Sequence, residues 1–564
     1  MRGYRKMKKF LLLFVLLFCG FFIFAQSQAD DQPAETEIEL PDVTTVISGG
    51  ALVAGKDSVP DYKKILPDKN TGTVQLPAMD GIQTGQLPSR QYEQNFSDEK
   101  TVYAQGKVGG GFPFCFTGDF DIYRILGNSP FRISFFHRNY EDFADKKASD
   151  GYFFRNTGLE AEKKFLGEKC EFVFSGWYKN QDAGLQSKSN VFTDYLWNDL
   201  GATLNSLWNF ENGWNLSLGF QGSYFNRYGT KVSKDVVFEE EWQKNAKYLS
   251  LVPEFSAGWK NSRFDVNFLA RYESQLNMKD SGTLYKAPEA SSSEAVHKGQ
   301  FMLNFAWLAE NAGIYASAGI IVGNSIGKQK LLTPFTAGAD FEISTPLSFR
   351  PLGIKFEGGL DSVLEFAGNL EKKYRFSGSA CLPSEQTDWY GLARVSLPVK
   401  EKFSVNFEGE FRKTAFENGV WAPDYEKNLS EAGFYLISQN ERTEFKSLAE
   451  FCAETEKFSF SGSWKAFWID VPACEEKHSI RAQLFFSPEK RWNLSASAAE
   501  NFGDEADKVP VLDFGAGLRV GKSIQLALEA EDIIKLLTGK TRAFSASQYE
   551  QSCGHVTALV KFQF

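Results

Sequence analysis

The chain has 564 residues, 43% hydrophobic and 15% aromatic, with 53 Phe and a formal net charge of −9. A charged fraction of 24% excludes a bundle of membrane helices. The aromatic load excludes a disordered chain, and the acidic balance argues against nucleic acid as a partner.

Residues 1–25 read as an export signal peptide. Arg2, Arg5, Lys6, Lys8 and Lys9 form a basic start, residues 10–24 are an apolar run of secretory length, and cleavage falls at Ala25 or as late as Ala29. Two other readings fit the same stretch. As an uncleaved membrane helix the run falls slightly short of the ~20 residues needed; lipidation at Cys19 is disfavoured by the bulk of Phe18. Residues 1–25 carry five positive charges and no negative ones, so their removal takes the chain from −9 to −14. Beyond them the longest apolar stretch, residues 313–323, is well short of a spanning helix. An exported chain without a later helical anchor is either soluble or crosses a membrane as a closed β-barrel.

Periodicity decides between these. Phe403, Val405, Phe407, Gly409 and Phe411 alternate with Ser404, Asn406, Glu408 and Glu410. The same period of two runs through residues 214–224, 264–272 and 458–468, so these segments are strands. Each run holds ~10 residues, the length a tilted strand needs to cross a bilayer, against ~5–6 in ordinary globular sheets. The apolar face then looks at lipid and the polar face lines a wet lumen.

Ten short linkers join strands in pairs, at residues 126–129, 166–169, 211–213, 260–262, 310–312, 345–351, 400–402, 454–457, 488–490 and 521–522. Longer polar segments, such as 230–245, 276–297, 413–431 and 532–551, lie between the pairs. Short turns at one end and long loops at the other are the asymmetry of an outer-membrane barrel. With an opening strand at 102–110 and a closing strand at 553–564, the count is about 22 antiparallel strands, within 20–24. Trp208, Trp214, Trp259 and Trp492 stand beside turns, where an interfacial aromatic girdle belongs.

The last strand carries the most specific signal. Val556, Ala558, Val560, Phe562 and Phe564 share one face, and the chain ends on an aromatic residue. This resembles the C-terminal signal, here Val560, Phe562 and Phe564, by which bacterial barrels are recognised by the barrel-assembly machinery. The strand at 524–530, Tyr549, and Cys553-Gly554-His555 where Pro-Gly-Arg is common, make residues 102–564 similar to the barrel of TonB-dependent receptors. That resemblance implies an outer-membrane location in a diderm bacterium, a lipid surround and passage of a solute. One departure matters: only residues 30–100 stand where those receptors carry a plug of well over a hundred residues, so a complete plug does not fit.

That replacement segment repeats Leu-Pro at Leu40-Pro41, Leu66-Pro67, Leu76-Pro77 and Leu87-Pro88. Proline fixes φ and biases its predecessor to extended conformations, so these pieces read as strand-like or polyproline. Asp42, Val43, Thr44, Thr45 and Val46 look like the short box that contacts a TonB-type periplasmic protein by strand addition. A flexible acidic tail or a partial lumen filler is the plainer reading of the same residues.

No catalytic or metal-ligating pattern emerges, and no cofactor is expected. His137, His297, His478 and His555 lack HExxH or CxxC spacing, and no GxSxG, Walker or GxGxxG signature follows a suitable strand. Cys115, Cys170, Cys381, Cys452, Cys474 and Cys553 are scattered and read as small packing residues, although an oxidising compartment permits pairing. Glu408 and Glu410 belong on the lumen face, where they would bias a pore towards cations; Asp235 with Glu239, Glu240 and Glu241 reads as a solvated loop. The expectation is a non-enzymatic outer-membrane transporter or receptor-like barrel, 101–564, behind a signal peptide and a Leu-Pro segment at 30–100. A passive porin and a structural or adhesive surface barrel are the alternatives.

Overall fold

A computed structural model describes residues 102–564 apart from 126–128, 143–150, 233–244, 279–294, 326–327, 345–350, 380–384, 401, 426–428, 473–474, 490, 503–508, 522, 540–547 and 551. Alternation of apolar and polar residues builds one large antiparallel sheet of 23 segments. Lys328–Leu332 and Phe335–Ile343 pair with successive stretches of the same strand, Ala312–Ser325, and count as one, so the barrel has 22 strands. The first strand, Tyr103–Phe112, closes the barrel on the last, His555–Gln563, in a register running from Gln105 opposite Gln563 to Phe112 opposite Val556. Ala104 and Phe564 exchange both backbone hydrogen bonds at 2.9 and 2.7 Å. Closure leaves no unpaired edge, which is the condition for a sheet to sit in hydrocarbon.

The two faces separate as the period of two requires. Phe174, Leu204, Phe220, Leu303, Phe356 and Phe407 point outward, and Leu303 keeps 54% of its surface exposed in the isolated chain. An apolar band of this extent belongs against lipid. At the turn end the band is edged by Trp208, Trp214, Trp259 and Trp492, which form the expected girdle. Not every Trp joins it: Trp177 points inward, and its ring N–H donates to Asp199 at 3.1 Å.

Backbone bonds close the described short turns. Gly167 N–H donates to Cys170 O at 2.8 Å, Asn261 to Phe264 at 2.9 Å, and Thr455 to Phe458 at 2.7 Å. At Gly213 φ is +82°, and a Cβ would lie 2.0 Å from Lys260 O, so only glycine turns the chain there.

Strand length differs from the ~10 residues that the runs imply. Eight consecutive strands, from Phe153–Leu166 to Ala312–Ser325, have 14 to 18 residues. The barrel strands from Phe403–Thr414 to His555–Gln563 have 8 to 12. At ~3.3 Å per residue and a ~40° tilt, an 18-residue strand rises ~45 Å against an apolar band of ~25 Å. One side of the barrel therefore stands taller at the loop end. The outer face turns polar where the tall wall leaves the apolar band: Asn198 accepts from Tyr178 OH at 3.0 Å and from Asn180 at 2.8 Å, and donates to Asn226 at 3.2 Å.

Candidate functional site

Among the described residues, segments of the loops that follow Leu364, Thr414 and Glu531 reach the inner side of that tall wall. Helix α1 (Ala367–Lys373) and the strand Ser377–Ser379 follow the hairpin strand Leu352–Leu364. Val420–Pro423 and Tyr435–Asn440 come from the next loop, and with Ser377–Ser379 they form a separate three-stranded sheet. Helix α2 (Ile533–Thr538) belongs to the last loop. Residues of these loops make a cap with its own apolar core, in which Phe376, Phe434, Tyr435 and Tyr549 cluster with Leu185, Phe192 and Tyr195 of the wall, whereas α2 lies against the strands Val511–Arg519 and His555–Gln563.

Tyr549 is the pin of this core. It is 1% exposed, its ring stacks on Phe376 at 4.0 Å, and its hydroxyl donates to Gly433 O at 2.5 Å. Burial pushes its phenol well above the ordinary tyrosine range. The backbone bends to suit: Phe376 sits at φ +57°, a left-handed conformation that a side-chain-bearing residue keeps only when packing holds it. Gln186 closes the joint to the last loop, accepting from Glu550 N and donating to Glu550 O.

Beneath the cap, polar contacts tie α1 to the wall. Arg227 (1% exposed) and Glu371 (fully buried) pair at 2.8 Å, and Tyr248 OH donates to the same carboxylate at 3.3 Å. Lys372 pairs with Asp199 at 2.6 Å, and Gly368 N–H donates to Gln275 at 3.2 Å. Arg227, Phe225, Tyr248 and Asp199 lie on inward positions of strands Phe192–Asn209, Trp214–Lys231 and Asn245–Lys260. The arrangement can hold an anion from the inner wall and can hold the loops across the mouth.

Below the mouth the lumen is lined by compensated charges. Glu408 and Glu410 do face inward as their alternation indicates, but they are not free to collect cations. Glu408 pairs with Arg394, and Glu410 with Arg412 at 2.6 Å and with Lys446; Arg412 reaches on to Asp361 at 3.1 Å. Arg132 with Asp121 at 2.8 Å and Lys561 with Glu529 at 2.6 Å continue this pattern on the other side. A cation entering must compete with a bound guanidinium or ammonium, which removes the simple argument from acidity.

The histidines are dispersed. His137 meets Thr157 at 2.8 Å and His297 meets Tyr272 at 2.7 Å, both on the outer face. His478 lies beside Trp464 and Trp468. His555 is buried on Tyr140, with Glu531 at 3.7 Å. Among the described residues no group of three or more His, Cys, Asp or Glu is placed to hold a metal ion. Cys115 and Cys553 are buried thiols, as packing residues are, whereas Cys452 is exposed. Cys381 and Cys474 lie outside the described residues, as do residues 30–100 with Asp42, Val43, Thr44, Thr45 and Val46, and the acidic loop at Asp235 and Glu239 to Glu241.

The terminal signal residues sit as their alternation predicts. Val560 and Phe564 are exposed on the lipid side, Phe562 contacts Phe120 and Phe564, and Leu559 and Thr557 are buried on the other face. The cap core and the Arg227–Glu371 pair were missed in the sequence; a buried Arg from a strand and a Glu from a loop 144 positions away carry no local signature.

No protein-family model and no curated protein matches the chain. Solved structures do share its fold. The copper transporter OprC aligns with a TM-score of 0.62 at 10% identity, over 84% of this chain and 82% of that one. The FrpB iron transporter from Neisseria meningitidis gives 0.60 at 8%, over 82% of each chain. A mutant of the ferric enterobactin receptor PfeA from Pseudomonas aeruginosa gives 0.58 at 9%, over 82% and 80%. With the closed 22-stranded sheet, these likenesses give the chain the barrel fold of TonB-dependent receptors.

Proposed function

We propose that the protein passes a solute across the outer membrane, with the inward-folded loops governing entry. The observation that carries this reading is a closed barrel whose lumen is lined by paired charges, with inward-folded loop segments packed on the wall at its mouth. A barrel of 22 strands encloses far more space than side chains fill, so something must regulate a lumen of that width. Its structural neighbours are named as transporters and receptors of copper, iron and ferric enterobactin; this chain's own cargo is not inferred from theirs.

Residues 30–100 are proposed as a reduced plug or a tether, and Asp42, Val43, Thr44, Thr45 and Val46 as the strand offered to a TonB-type protein. Val560, Phe562 and Phe564 are proposed as the signal read by the barrel-assembly machinery. The test is conductance of the refolded protein in a planar bilayer, with and without residues 30–100. A closed full-length protein and a conducting truncation support gated uptake. Equal conductance supports a passive pore. If neither conducts under any condition, transport loses its ground, and the well-packed cap favours a structural surface barrel.

A further inference from the structure

The inner wall of the mouth carries three hydrogen-bond donors aimed at one anion, and a fourth donor beside them. Arg227 contributes Nε at 2.8 Å and Nη2 at 3.5 Å to Glu371, and Tyr248 contributes its hydroxyl at 3.3 Å. The fourth is Tyr195, which is completely buried; its ring lies 5.9 Å from the Arg227 guanidinium, and its hydroxyl has no hydrogen-bond partner among the described residues. A buried hydroxyl without a partner is costly, so its persistence beside a guanidinium calls for an explanation. Phe225 stacks on Tyr248 at 6.0 Å, and Trp197 lies 6.0 Å from Phe225, which gives the pocket a flat aromatic wall.

All these donors belong to rigid barrel strands, whereas the anion does not. Glu371 is carried by α1, a helix of seven residues whose first turn has no side-chain cap. A buried ion pair is a poor device for merely holding a loop, because apolar residues of the same volume hold it as well or better. The pocket also stands above the apolar band: Arg227 follows Asn226, which belongs to the outer asparagine ladder. It is thus on the side from which a solute arrives.

We infer that the Arg227, Tyr195 and Tyr248 pocket is a binding site for a solute bearing a carboxylate or phosphate group on a flat apolar body, and that Glu371 occupies it as an internal stand-in. An incoming anion takes over the Arg227 donors and gains the Tyr195 hydroxyl that Glu371 leaves unused. Displaced from the pocket, Glu371 carries α1 away from the wall, so binding and opening of the mouth are one event. As a statement about the transported solute this rests on the transport reading above; as a statement about binding it does not.

Isothermal titration calorimetry of the refolded full-length protein with benzoate, inorganic phosphate and benzylamine tests it. Glu371→Gln removes the competing charge, and the expected result is at least tenfold tighter binding of benzoate or phosphate than in the wild type, with no heat from benzylamine. The double variant Arg227→Gln with Glu371→Gln leaves no buried charge unpaired and is expected to bind neither anion. Equal affinity in wild type and Glu371→Gln, or anion binding that survives in the double variant, overturns the site. Should Glu371→Gln fail to fold, hydrogen exchange of the wild type decides: saturating benzoate is expected to raise exchange over residues 367–373, and unchanged protection overturns the inference. A barrel that conducts without binding either anion keeps the transport reading and loses this one; a barrel that binds through Arg227 and never conducts does the reverse.

Discussion

The barrel wall and the cap solve the same problem of burying apolar surface in opposite ways. The wall repeats one rule 22 times, so each outward Leu or Phe does a small, interchangeable share against lipid, and backbone bonds to both neighbours hold every strand. The cap is built from segments of different loops, and it depends on single contacts such as Phe376 on Tyr549 and Glu371 on Arg227. Redundancy makes the wall rigid; dependence on a few contacts makes the cap separable from it. A gate needs that second property, since elements that move are drawn from the less stable parts of a fold.

Changes in the cap should leave the wall untouched, and the reverse. The largest effect is expected from Phe376→Ala, which removes the stacking partner of Tyr549 from a closed core and should destabilise the cap by ~3–5 kcal/mol. Hydrogen exchange is expected to rise over residues 367–379 and 429–440 while the barrel strands stay protected; protection lost equally in both would show that the two regions are one unit. Next comes Leu204→Arg, an outward position in the apolar band, expected to cost ~2–4 kcal/mol in unfolding from lipid vesicles. Gln221→Arg, on the lumen side of the neighbouring strand, is expected to cost under ~0.5 kcal/mol. Similar losses for the two would refute the assignment of faces.

Gly554→Ala is smaller. Gly554 has φ +61°, and an added Cβ would lie 2.6 Å from Asp532 O and 2.7 Å from Leu536 N, so a loss of ~1–2 kcal/mol is expected, confined to α2 and the last loop. The smallest effect is one of pH. Burial raises the Asp532 carboxyl above its ordinary value, against the pull of its hydrogen bonds from Lys535 N and Ser552. A raised carboxyl stabilises the protonated folded state, so this contribution is complete below ~pH 3.9, the unfolded value, and is lost as pH rises through the folded one. Protection of residues 533–538 should therefore increase on moving from pH 7 towards pH 4, and Asp532→Asn should abolish that increase.

Much of the wall is legible in the chain because alternation is a local property. Phe403 to Phe411 reveal their faces two residues at a time, and the terminal run at Val560, Phe562 and Phe564 does the same at the seam. The tall side was hidden for a related reason: above the bilayer the outward positions become polar, as at Asn180, Asn198 and Asn226, and the alternation that marks a strand disappears though the ladder of backbone bonds continues.

The sequence by itself determined the fold class, the order of strands and turns, and which side of each strand meets lipid, because hydrophobic burial along a strand depends only on spacing. Tertiary structure alone decided that Glu408 and Glu410 are neutralised and that the loop segments carrying Glu371, Phe434 and Tyr549 turn inward. It alone placed Glu371 on Arg227 between Tyr195 and Tyr248. Those outcomes depend on which distant side chains share one small volume, and the free energy of a buried charge or a stacked ring is set by neighbours in space rather than by neighbours in the chain.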